Sequence, residues 1–89
     1  MPARDPDPRL LALGRALRRA RRDLDLTQEA LGQRAGMHAN HLGTIERGAK
    51  DPRATTLLRL IEALEISPAE LFTRYAPTSD APRPRPSPA

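Results

Sequence analysis

Ala39, Asn40 and Thr44 fall on one side of a short stretch, HANHLGTIERG, and Arg47, Lys50 and Arg53 follow at its end. These residue types recognise; they do not make or break bonds. Asn40 can pair two-handed with an adenine, and Thr44 offers a hydroxyl and a methyl, the latter able to meet a thymine methyl. Ala39 can make only an apolar contact, and Gly43 between them reads nothing itself. The cations just past the stretch suit phosphates, whose neutralisation releases counterions and makes binding salt-dependent. Gln28 stands at the start of an earlier helical stretch, where free backbone N–H groups and an amide side chain favour an anion. Catalytic readings fail on the same residues. His38 and His41 are three apart but have no third ligand nearby, so no metal is expected. Glu46 has no second carboxylate, nucleophile or metal ligand beside it. No phosphate loop or nucleophile–base pair appears, so the chain carries no expected catalytic residue or cofactor and is not expected to be an enzyme.

The elements that must position these side chains lie between Leu26 and Gly48. Leu26 and Leu31 are spaced as a hydrophobic staple around Thr27, whose hydroxyl can cap a helix. Glu29 suits the positive end of that helix, and Gly36 can take the left-handed turn that ends it. A second helix is predicted from about Ala39 to Arg47, stopped at Gly48 in the same way. Leu42 and Ile45 face inward with Met37, which leaves Ala39, Asn40, Gly43, Thr44 and Arg47 on the other side. Two short helices meeting at a glycine turn, the second with a small polar outer face, are the parts of a helix-turn-helix.

LTQEALGQRAG, then IERG, then SPAEL resembles the lambda-repressor-like (Cro-type, XRE) helix-turn-helix family of bacterial regulators, from about Leu13 to Phe72. The resemblance implies an all-α, five-helix domain that binds double-stranded DNA, commonly as a homodimer. By it, Ala39, Asn40 and Thr44 occupy the base-reading positions. Gln28 reaches a phosphate and braces the recognition helix; Arg47, Lys50 and Arg53 lie over the sugar-phosphate backbone. His41 stands near that backbone, with packing as the alternative. Arg21, seven residues before Gln28, is implied to pair with Glu46 as a structural tie. Leu71, Phe72 and Tyr75 lie where relatives often make the dimer contact; Phe72 can equally be core, and Tyr75 an exposed helix end. The chain departs from the pattern in three places. Ala39 replaces a polar reader, His38 a Ser or Thr cap, and Arg53 a small cap. The thin reading face shifts weight toward phosphates and DNA shape.

The remaining chain frames this domain. Eighty-nine residues allow one domain with a small core. Residues 1–8, with three prolines and with Arg4 offset by Asp5 and Asp7, read as a flexible arm. The domain is expected over 9–75. Its first helix, about Arg9 to Asp23, carries an apolar stripe of Leu10, Leu13, Leu17 and Ala20. Arg15 and Arg19 read as solvated; Arg18 and Arg22 are either solvated or near phosphate. A fourth helix, about Ala54 to Leu64, buries Leu57, Leu60, Ile61 and Leu64. Ser67, Pro68 and Glu70 start a fifth, to about Arg74. Residues 76–89 read as a Pro-rich disordered tail, with Arg83 and Arg85 able to add weak non-specific attraction to DNA. The net charge of +4 suggests a polyanionic partner. With no cysteine, signal peptide or membrane span, a cytoplasmic site is expected, with no membrane partner and no evident small-molecule effector.

Two functions compete. The first is a sequence-specific regulator of transcription, similar in its IERG and HxxH context to restriction–modification controllers. The second is an antitoxin-type or bridging protein–protein module, which would show an apolar patch instead of a basic helix-3 face.

Overall fold

Local signals set most of the helix ends in the computed structural model, which describes residues 7–75. Five helices follow in order: α1 (Pro8–Asp23), α2 (Gln28–Ala35), α3 (Ala39–Glu46), α4 (Ala54–Ala63) and α5 (Pro68–Thr73), with no strand among the described residues. Thr27 Oγ1 accepts from the Ala30 N–H at 3.0 Å and Ser67 Oγ from the Glu70 N–H at 3.0 Å, so both predicted caps form. Asp7 caps α1 by accepting from the Arg9 N–H at 2.8 Å, and Pro8 takes the first turn. These two residues therefore belong to the domain, not to the expected arm, because a carboxylate before a proline is itself a helix start. The rest of that arm and the tail 76–89 lie outside the described residues. His38 and Arg53 precede α3 and α4 without a side-chain cap bond, as their side chains would suggest.

Leu17, Leu31, Leu42, Ile45, Leu60, Leu64 and Leu71 are fully buried and draw one side chain or more from every helix. Leu71 is thus a core residue at 0% exposure, which corrects its expected place in a dimer contact. A six-residue helix carries too few positions for its apolar pattern to separate core from interface. Its neighbour Phe72 is 48% exposed and meets Tyr75 edge-on, with ring centroids 6.1 Å apart.

α1 crosses α3 at Gly14. A Cβ there would run into the main-chain carbonyls of Glu46 and Ile45, so only glycine allows the two backbones this close. Gly48 turns the chain out of α3 with φ +75° and presses on the Leu11 backbone. Two other turns use left-handed residues that are not glycine: Asp25 (φ 55°) after α1 and Glu65 (φ 58°) after α4. In both, a backbone N–H reaches back five residues, Leu26 to Arg21 and Ile66 to Ile61, which is the Schellman closure. An L-residue in that conformation costs about 1–2 kcal/mol. Glu65→Gly should therefore stabilise the domain by about 0.5–1 kcal/mol, part of the gain being offset by the freer unfolded chain. Thermal unfolding followed by circular dichroism should show a midpoint raised by about 3–6 °C.

Candidate nucleic-acid interface

α3 has one side in the core and one side out. Leu42, Ile45 and Glu46 are buried, Asn40 and Arg47 are exposed, and Ala39 and Thr44 are half-buried. The Thr44 hydroxyl donates to the Asn40 carbonyl at 2.8 Å, so its proton is committed within the helix. What Thr44 can still offer is an acceptor lone pair and its methyl. Beyond the helix, Lys50 and Arg53 are exposed in the loop to α4, where Asp51 is the one carboxylate between Arg47 and Arg53.

A charged network sets the orientation of α3. Arg21 and Glu46 are both buried and meet two-handed: Arg21 Nε donates to Glu46 Oε2 at 2.7 Å and Nη2 to Oε1 at 3.0 Å. Arg21 Nη1 donates to the Leu26 carbonyl at 2.8 Å, just before α2. Gln28 Nε2 completes the set with a bond to Glu46 Oε1 at 3.2 Å. One arginine thereby ties α1, the entry to α2 and the end of α3 together. The hydrogen bond to Glu46 raises the pKa of Arg21 above the ordinary arginine value, against the opposing pull of burial. Gln28 is half-buried, with its amide spent partly on α3. It braces the helix first and can reach a phosphate only with what remains.

His41 takes the packed position that stood as the alternative to a backbone contact. It is half-buried, and its Nε2 is closed off from solvent with no hydrogen-bond partner among the described residues. Only the rest of the ring is open to a partner outside the domain. Residue 41 lies about 100° round the helix from Asn40, which is the turn that takes it off the outer face.

A second basic region lies elsewhere. Arg15, Arg18, Arg19 and Arg22 of α1 and Arg74 after α5 line a cleft of about 770 Å³ with Ala12 and Ala16. Arg74 pairs with Asp23 at 2.6 Å; the four α1 arginines have no ion pair among the described residues. Arg18 and Arg22 therefore share a cleft with Arg15 and Arg19. Leu58 on α4 is 49% exposed. It lies off the Leu57, Leu60, Ile61 and Leu64 stripe, which accounts for its exposure.

Comparison with known proteins agrees with this geometry. A family model described as a helix-turn-helix domain matches residues 12–72. The uncharacterized HTH-type transcriptional regulator y4dJ of Sinorhizobium fredii is 39% identical over 70 residues, covering 79% of this chain and 87% of that protein. Among solved structures, the restriction-modification controller protein C.AhdI from Aeromonas hydrophila superposes with a TM-score of 0.69 at 36% identity, over 71% of this chain and 96% of that one. The clp gene regulator ClgR from Corynebacterium glutamicum gives 0.73 at 31% identity, over 83% and 94%.

Proposed function

The chain belongs to the helix-turn-helix family of DNA-binding transcriptional regulators, and from that membership we propose that it binds a pseudo-palindromic operator as a homodimer, with α3 in the major groove. The family binds DNA and is not an enzymatic class. The observation that carries the proposal is the exposed face of α3, with Asn40 at its N-terminal end and Arg47 at its C-terminal end, held outward by the Arg21–Glu46–Gln28 network. The N-terminal residues of a recognition helix are the ones that reach base edges. In this reading Ala39, Asn40 and Thr44 face bases, while the N-terminus of α2 with Gln28, and Lys50 and Arg53, hold phosphates. Phe72 and Tyr75 supply the apolar contact between subunits, which sets two copies of α3 about 34 Å apart in successive grooves. The reading includes a cytoplasmic location, where a regulator of this kind meets its DNA.

The test is selection of bound duplexes from a random pool. The expected product is a two-fold repeat with half-site centres about 10 base pairs apart. Recovery of an unchanged pool, or of the same pool with Asn40→Ala as with the parent, argues against direct reading. The phosphate roles make a separate prediction. Lys50→Ala and Arg53→Ala should each weaken binding to every duplex alike. Each should also reduce the slope of log K against log salt by about 0.9, measured by fluorescence anisotropy between low and moderate salt.

A further inference from the structure

Gly43 lies on the outer half of α3 yet is buried, because two side chains from elsewhere cover it. A Cβ at Gly43 would stand 3.1 Å from Arg47 Nη1 and 3.3 Å from both Nε2 and Oε1 of Gln28. Arg47 is the cap residue after α3 and keeps helical backbone angles, so its side chain leans toward the N-terminus over residues 43 and 44. Its guanidinium accordingly lies over the preceding turn. Nη1 lies over Gly43, and Nη2 donates to Thr44 Oγ1 at 3.4 Å. Thr44 can only accept in that bond, since its own proton is given to the Asn40 carbonyl at 2.8 Å.

This arginine is not neutralised. Arg47 has no ion pair among the described residues, and the adjacent Glu46 is taken up by Arg21 and Gln28. Of its five N–H donors, one is used on Thr44, and the side chain is exposed. Asn40 and Arg47 are seven residues apart, two turns of helix, so they lie almost in line along the outer face. The guanidinium thus lies over the turn between Arg47 and Asn40, on the outer face of the helix. A planar fork with two free parallel donors, held on the groove side of a recognition helix, matches the O6 and N7 acceptors of guanine.

We propose that Arg47 reads a guanine, standing in for the side chain that Gly43 lacks, with Thr44 holding one of its nitrogens. This rests on the major-groove reading above and adds a specificity residue to it. The alternative occupant of the guanidinium is a phosphate, and the two leave different signatures.

The experiment uses the full chain and its selected operator. Each guanine in one half-site is replaced in turn by 7-deazaguanine, which removes the N7 acceptor and leaves base pairing intact. One replacement should weaken the parent protein about tenfold or more, the size of a good two-handed base contact. Arg47→Gln should bind the natural operator less tightly and lose its response to that replacement. Gly43→Ala should keep its helical circular dichroism, since alanine suits a helix, while its Cβ pushes the guanidinium aside. It too should discriminate the replaced guanine less. The proposal is overturned if no guanine in the half-site responds. It is equally overturned if Arg47→Gln weakens all duplexes alike and lowers the salt slope by about 0.9, which marks a phosphate contact. A pool that enriches no sequence removes the operator reading as well; an enriched operator without a responsive guanine removes this one alone.

Discussion

Glu46→Ala is expected to lose about 3–5 kcal/mol of folding stability, because it leaves the Arg21 guanidinium charged, buried and without its carboxylate. A domain of this size has a total stability near the lower end of about 5–15 kcal/mol, so the variant should be largely unfolded at 37 °C. The loss reaches beyond one pair. Glu46 also holds Gln28, and Arg21 also holds the Leu26 carbonyl, so the joint between α1, α2 and α3 opens together. Urea unfolding followed by circular dichroism measures it. Glu46→Gln keeps the shape and part of the hydrogen bonding and should lose less. The double variant Arg21→Met, Glu46→Leu should recover most of the loss, since apolar pairs of similar volume often match or exceed a buried ion pair. If Glu46→Ala costs under about 1 kcal/mol, the pair behaves as a surface bridge and the brace on α3 is not what orients it.

Gly14→Ala should be nearly as damaging, although alanine is the better helix former by about 1 kcal/mol. The added methyl meets the carbonyls of Glu46 and Ile45, which are main chain and cannot rotate aside. Either α1 lifts off α3 or the end of α3 shifts. Overpacking of this kind costs about 1–3 kcal/mol and occasionally more. Because the obstacle is backbone, we expect a net loss of about 3 kcal/mol after the propensity gain, and a weakened Arg21–Glu46 contact with it. Gly43→Ala is the comparison. There the methyl meets only the ends of Arg47 and Gln28, which can move, so stability should stay within about 1 kcal/mol of the parent. Thermal denaturation of the two variants side by side gives the contrast.

What could be read in the sequence was what the chain encodes locally. Thr27, Ser67 and Gly36 announce helix ends within a few residues, and the observed ends fall within one residue of those predicted. The five-helix fold followed from the resemblance, and the outward face of α3 from the inward spacing of Leu42 and Ile45. The Arg21–Glu46 tie spans 25 residues and was reached only through the family pattern, since no local rule links the two. Gly14 gave no signal, because its reason lies 32 residues away in the carbonyl of Glu46. Leu71 was misplaced for want of length in α5, and the closed-off Nε2 of His41 depends on tertiary packing that spacing does not report. The place of the Arg47 guanidinium needed the absence of a side chain four residues earlier to be seen in three dimensions.

The chain carries two basic surfaces, and the proposed function puts the duplex on one of them, α3 and the loop after it. The direct measurement is a titration of the uniformly ¹⁵N-labelled protein with the selected operator, followed by amide chemical shifts. The largest changes should map to Gln28, to Ala39 through Thr44, and to Arg47 through Arg53, with Arg15 and Arg19 little moved. Changes centred on Arg15, Arg19 and Arg22 instead, with α3 silent, would place DNA on α1 and contradict major-groove reading by α3.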